Sequence, residues 1–425
     1  MKGNEFNKCK KLIKAYFSKN EQKSFTRGKS KIPLAVPPYD ANEVIESLES
    51  LMSMKTTAGK KVETFEKKFS KYVGTKYGTM VNSGSSANLL ALSILAHPAL
   101  KNKISPGDEI ITPAVTWATT VYPILNINAT PRFVDVKLND YTIDPVEIEN
   151  AINKKTKAIL IVHLLGNPCD MNKITKIAKK YNLWLIEDSC EAHGARYNDK
   201  HVGTFGDLAT FSFFASHHIT TMEGGMVTTK HRELNELATS MRTFGWSREL
   251  KNKKKIESKF KNIDNRFLFV NTGFNFRPTE IQGAFGIHQI DKLEKLVKIR
   301  IRNAEYWNKE LKKFSEYLIL PKETKHRNSY LFYPITVIKN KFFTKQELVD
   351  VLEKNGIETR PVMAGNMIIQ PVSKYFKYKK TGNLKNSNYI QKNSFLIGNH
   401  HKINEKQKKF IVDVITNHIS KSINN

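Results

Sequence analysis

A chain of 425 residues, 40% of them hydrophobic, holds more than one compact core usually takes, so a large domain with a smaller one is expected. The formal net charge of +29 is spread along the chain in lysine-rich runs such as 251–255 without a recognition motif, which argues for solvated faces and against nucleic-acid binding. Three cysteines, Cys9, Cys169 and Cys190, lack paired ligand spacing, and no apolar run is long enough to span a bilayer, which argues against a disulfide framework, a metal centre and a membrane protein.

Residues 1–32 are expected to form a basic extension with one helix-like apolar pattern, Leu12, Ile13, Tyr16 and Phe17. Its polar start does not read as a signal peptide, so a cytoplasmic location is expected. The core begins near Pro33 with a helix predicted over 42–54. Apolar strand-like runs at 109–112, 132–136, 158–163 and 183–188 then alternate with amphipathic segments. That alternation predicts an α/β fold with a mostly parallel sheet covered on both faces. An amphipathic helix over 290–314 carries Leu293, Leu296, Val297 and Ile301 at helical spacing and leads into the second part. The large domain is therefore drawn at 33–295 and a smaller α+β domain at 296–425, with a strand at 330–337 and a helix at 345–354.

Four segments carry candidate chemistry. In Asn82-Ser83-Gly84-Ser85-Ser86, small residues precede an apolar helical run; free N–H groups and the helix dipole suit a phosphate there, although an ordinary N-cap uses the same residues. Trp117 offers a flat face for a cofactor ring, or fills a core. Asp188 ends the strand at 183–188, where open α/β sheets place their ligand groups, and a carboxylate there can hold a protonated ring nitrogen; a helix cap is the plainer alternative. The segment 211–225 contains His217 and His218, of which His218 is given no role.

Together these segments resemble the pyridoxal phosphate-dependent sugar aminotransferases of the DegT/DnrJ/EryC1/StrS family. The resemblance covers most of residues 33–420 and implies a fold-type I architecture: a large mixed, mostly parallel sheet domain and a small C-terminal α+β domain. The segment 211–225 resembles the stretch that carries the family's cofactor-attaching lysine, with His217 in the lysine's place. Histidine cannot attach the cofactor covalently, yet its ordinary pKa near 6.5 suits it to move protons. Glu191 stands where the aminotransferases usually carry histidine and where the nucleotide-sugar 3-dehydratase branch carries an acid. Both departures point to that branch.

What the resemblance implies for the site is specific. Gly84, Ser85 and Ser212 would hold the cofactor phosphate, and Asn275 would reach it from the neighbouring subunit of a homodimer with shared active sites. Trp117 would stack on the ring, Asp188 would bind its nitrogen, Glu191 would lie beside it, and His217 would be catalytic. Arg248, in the segment 242–248, is a candidate for substrate or phosphate. The implied cofactors are pyridoxal 5'-phosphate and pyridoxamine 5'-phosphate. No iron–sulfur cluster is expected: the branch member that carries one has a cysteine-rich insertion after the segment matching 242–248, and this chain is lysine-rich there. The implied substrate is a nucleotide-linked 4-keto-6-deoxyhexose, with GDP-4-keto-6-deoxy-D-mannose favoured over CDP-4-keto-6-deoxy-D-glucose. L-glutamate would regenerate the cofactor, and the product would feed 3,6-dideoxysugar and O-antigen formation. An ordinary sugar aminotransferase and a non-catalytic nucleotide-sugar-binding relative are the two alternatives.

Overall fold

The computed structural model describes residues 3–19, 25–322 and 324–424. Its main sheet has eight strands in the order Tyr77–Val81, Gly225–Thr229, Leu208–Ser212, Trp184–Asp188, Thr156–Val162, Glu109–Pro113, Thr130–Val134 and Lys379–Lys380. All neighbours are parallel except those of Gly225–Thr229, which runs against both of its partners. The apolar strands work because both faces are covered. Ile110, Leu160 and Ile186 pack with Leu90, Leu95 and Met241 on one side. Ile111, Ile159, Ile161 and Leu185 pack with Ile148 and Ile174 on the other, as the two-residue period of a strand requires. This is the expected α/β architecture.

A second, antiparallel sheet orders Leu318–Ile319, Phe332–Val337, Ser394–Gly398 and Thr359–Arg360, with the helices Lys345–Lys354 and Glu405–Asn424 packed on the same core. The two cores share one helix, Glu280–Leu311, which begins ten residues before the expected 290. Gly283 and Gly286 weaken its helical signature, but they are there for contact. A Cβ on Gly283 would sit 2.5 Å from the backbone nitrogen of Val62, and one on Gly286 2.5 Å from the ring of Phe65. A capping box from Thr279 and Gln282 sets the true start.

Along this helix Ile290, Leu293, Leu296 and Val297 pack with Phe65, Phe69 and Phe213. Ala304, Trp307 and Leu311 belong to the other core. A boundary at residue 295 thus falls inside a continuous helix, just ahead of the change of core. The C-terminal part also returns to the large sheet, since Lys379–Lys380 pairs with Thr130–Val134 and Met367 and Leu384 pack on Phe133.

The N-terminal helix Asn4–Lys19 docks through buried Phe6, and Phe17 meets Tyr39 with ring centroids 6.3 Å apart. Of its expected apolar stripe, Leu12 and Tyr16 stay exposed. The end of the extension is embedded, because Ile32 bridges to Ile357 and lies in the smaller core. Among the described residues no helix is long and apolar enough to cross a membrane.

Candidate active site

The chemistry-bearing residues follow the carboxyl ends of the parallel strands, where a doubly wound sheet opens its crevice. After Tyr77–Val81, Ser83 caps the helix Gly84–Leu95, its hydroxyl accepting from the Ser86 N–H at 3.0 Å. A Cβ on Gly84 would lie 2.4 Å from the Cβ of Ser212, 2.8 Å from its Oγ and 3.2 Å from the sulfur of Cys190. Three segments therefore converge on the first turn of one helix. That convergence leaves a helix N-terminus beside the Ser212 hydroxyl, a fitting cradle for a phosphate. Ser85 is exposed at the same turn.

Asp188 is buried and surrounded by donors. Its Oδ2 accepts from Asn88 Nδ2 at 2.9 Å and from the Thr120 hydroxyl at 2.8 Å, while Oδ1 accepts from the Cys190 N–H at 3.2 Å. The support has a further layer: the Thr210 hydroxyl donates to Asn88 Oδ1 at 2.6 Å, and Thr116 donates to Thr120 at 2.9 Å. Donors therefore face both oxygens of the carboxylate. Its neighbour Glu187 projects to the other face of the strand, accepting from the backbone N–H groups of Gly203, Phe205 and Gly206, and is structural.

Trp117 immediately precedes the helix Ala118–Asn126, whose first turn supplies Thr120 to Asp188. Its side chain is 54% exposed, which removes the core-aromatic alternative and leaves a free ring face beside the carboxylate's support. Glu191 is buried, and its Oε2 accepts from the N–H of Leu165 at 2.7 Å, a residue held at φ 57° after the strand Thr156–Val162. Burial pushes its pKa up to about 8, against the pull of the Leu165 N–H and with the Asp188 charge adding to the rise. The two carboxyls thus divide: Asp188 is held by donors, and Glu191 carries a proton at neutral pH.

The folded chain keeps that proton up to about 8, whereas the unfolded chain releases it near 4.5. Between those values the native state binds more protons. The contribution of Glu191 to stability is therefore complete below about 4.5 and is lost as the pH rises to about 8. Glu191→Gln keeps an acceptor for Leu165 but does not titrate. Its Tm relative to the parent is expected to climb across this window and level off above it; a difference independent of pH would contradict a neutral carboxyl.

His217 is half-buried, and its Nδ1 is buried with no hydrogen-bond partner among the described residues, which leaves Nε2 as the nitrogen outside that buried environment. Burial first and the charge of Arg300 second push its pKa down to about 4, which keeps the ring neutral at pH 7. Asn275 is exposed, its Oδ1 accepting from Arg277 Nε at 3.0 Å, and it makes no hydrogen bond to the phosphate cradle of its own chain among the described residues. Arg248 is exposed too, its guanidinium 4.9 Å from the centre of the Trp246 ring. Gly84, Ser212, Asp188 and Glu191 are joined by the contacts around Cys190 and Asp188, and Ser85, Trp117 and His217 lie within a few residues of strand ends in the same sheet; Asn275 and Arg248 lie on the loop region 243–278.

The sequence profile of the DegT/DnrJ/EryC1/StrS aminotransferase family matches residues 38–416. The chain belongs to that family. Over 374 residues it is 40% identical to GDP-4-keto-6-deoxy-D-mannose 3-dehydratase of Escherichia coli O55:H7 (strain CB9615 / EPEC), covering 87% of this chain and 95% of that one. The dehydratase of the same name from Yersinia pseudotuberculosis is 40% identical over 372 residues, covering 87% and 94%. Among solved structures, GDP-4-keto-6-deoxymannose-3-dehydratase with a trapped PLP–glutamate geminal diamine superposes with a TM-score of 0.85 at 38% identity, covering 90% of this chain and 99% of that one.

The residues present fit pyridoxal or pyridoxamine phosphate. The Gly84 cradle has room that a Cβ would fill, Asp188 offers a buried carboxylate, and Trp117 leaves an aromatic face uncovered. Asn88, Thr120 and Arg300 were not singled out from sequence. Asn88 had a legible signal, since it lies one helical turn after Gly84 and shares its face.

Proposed function

We propose that this chain is a pyridoxal/pyridoxamine phosphate-dependent 3-dehydratase that removes the C3 hydroxyl of a nucleotide-linked 4-keto-6-deoxyhexose. GDP-4-keto-6-deoxy-D-mannose is the favoured substrate, L-glutamate the amine donor, and the cytoplasm, as part of 3,6-dideoxysugar and O-antigen formation, the place of action. The observation that carries this reading is His217: residues 201–229 contain no lysine, and a half-buried imidazole held neutral stands at the position in the segment 211–225 that matches the family's lysine.

When bound, the cofactor supplies an amine for the sugar ketone and a ring that takes up electrons. The chain's part is to hold and to move protons. The Ser83–Ser86 turn and Ser212 would bind the phosphate, Trp117 would offer its ring to the cofactor ring, and Asp188 would hold a proton on the ring nitrogen. His217 accepts a proton at Nε2, and the burial that makes it a weak base makes it a ready acid for the departing C3 hydroxyl. Glu191, protonated at neutral pH, presents a neutral group beside the ring instead of a second negative charge.

The deciding experiment is the product mass after incubation with glutamate and the GDP- or CDP-linked 4-keto sugar. Loss of water from the sugar supports the dehydratase. Release of the 4-amino sugar with its C3 hydroxyl intact would place the chain with the aminotransferases.

We also propose that the active site is completed across a homodimer by Asn275, which is exposed and disengaged from the cradle in the single chain. Asn275→Ala is expected to weaken cofactor affinity. Heterodimers of an Asn275→Ala subunit with an Asp188→Ala subunit should regain activity, because one of their two sites has both residues intact. Verified heterodimers without activity would count against the shared site.

A further inference from the structure

Behind His217 lies a cluster that the mechanism above does not use. His193 is buried, with its ring centroid 5.9 Å from that of His217 and 5.6 Å from that of His218. Among the described residues, both ring nitrogens of His193, Nδ1 of His217 and Nδ1 of His218 are buried without a partner at full hydrogen-bond geometry, whereas Nε2 of His218 is engaged with the Ser329 carbonyl at 3.0 Å. Four unpartnered nitrogens on three neighbouring rings are costly unless something joins them. The Ser212 carbonyl also faces His193. Phe69, Phe211 and Phe213 enclose the His193 ring, with centroids 6.2, 5.6 and 5.6 Å away, so bulk solvent does not reach it.

We infer that His193 is a positioning residue for the proposed reaction: through one ordered water it accepts a hydrogen bond from Nδ1–H of His217, and so fixes the tautomer that leaves Nε2 free as the base. Three or four polar partners are what a buried water needs, and the cluster offers them. The arrangement requires His193 to have a lone pair. The one full charge that acts on all three rings is Arg300, whose guanidinium is buried and donates to the carbonyls of Leu331 and Asn399. A cation there disfavours imidazolium and keeps His193 an acceptor. When His217 takes a proton at Nε2, Nδ1–H remains donated to the water and His193, and the same proton leaves from Nε2 to the C3 hydroxyl. The positive charge stays on the His217 ring between the two transfers and does not pass to His193.

The inference rests on the dehydratase reading, so its test includes a signal that needs no substrate. In holoenzyme with 15N-labelled histidine, the His217 signals, identified by their loss in His217→Asn, should report Nδ1–H and an unprotonated Nε2. His193→Phe removes the acceptor within an aromatic surround and should erase that preference, lowering kcat about 10- to 100-fold with little change in KM. His193→Gln retains an acceptor and should restore much of kcat. Parent enzyme with the proton on Nε2 would overturn the proposal, whatever the variants do. So would a folded Phe variant with the tautomer and kcat unchanged, or Phe and Gln variants equally impaired, which would assign His193 to packing. The expected tautomer in a protein that dehydrates no nucleotide sugar would leave the positioning intact and refute the function.

Discussion

His217→Asn is expected to reduce dehydration about 100- to 10,000-fold, the range associated with loss of a positioned acid or base. Cofactor binding should survive. The phosphate cradle at Gly84 and Ser212, the Asp188 carboxylate and the Trp117 face are all set by other segments, and nothing that holds them runs through the imidazole. Asparagine approximates the volume of the ring and remains polar, but it cannot take up a proton near neutral pH. The measurement is single-turnover dehydration by enzyme loaded with pyridoxamine phosphate, alongside the cofactor's absorbance after gel filtration. An Asn variant that dehydrates at the parental rate would remove His217 from the mechanism. One that loses its cofactor would recast the residue as an anchor.

In the proposed reaction the burial of His217 would let one side chain serve two steps. A solvated histidine near pKa 6.5 would be partly protonated at neutral pH and partly unable to accept. With its pKa pushed to about 4 by burial and by Arg300, the ring is neutral before the reaction and sheds a proton readily after it has gained one. The weaker basicity is offset by a stronger conjugate acid, which suits departure of a hydroxyl group better than abstraction of a proton. In the proposed reaction abstraction would depend most on Asp188, because a carboxylate held at the ring nitrogen would raise the acidity of the position from which His217 would take its proton.

The sequence made these roles legible to different depths. Continuous apolar strands predicted the parallel sheet, and Gly84, Trp117, Asp188 and His217 stand at or soon after strand ends, the edge along which such a sheet gathers its ligand groups. The supporting contacts were hidden by distance along the chain: Asn88 reaches Asp188 across 100 residues, Thr120 across 68, and Thr210 reaches Asn88 across 122. No periodicity encodes a contact of that kind. The start of the helix Glu280–Leu311 was obscured for the opposite reason. Its glycines serve close packing against Val62 and Phe65, and that tertiary demand overrides helix propensity. Exposure separated the remaining candidates. Trp117 is exposed where a core residue would be buried, while Asn275 and Arg248 lie exposed on the loop region, a placement that a sequence pattern cannot distinguish from a pocket.

Asp188→Asn is expected to cost at least about 100-fold in turnover, the scale of removing one preorganised electrostatic group from an active site. The loss has two sources, and the hydrogen bonds separate them. Among the described residues the hydrogen bonds to the Asp188 carboxylate all come from donors: Asn88 and Thr120 at one oxygen, the Cys190 N–H at the other. An asparagine must turn its NH2 group toward one of these sides, so in either orientation a donor faces a donor in a buried place. It also removes the negative charge that would hold a proton on the cofactor ring. Asn88→Asp in the Asp188→Asn background separates the two, because it returns an acceptor to the pair without restoring a carboxylate at 188. Recovery of Tm and cofactor affinity, with turnover still depressed, is the expected outcome. Recovery of full turnover would show that the packing of donors and acceptors, and not the charge at 188, is what the reaction needs.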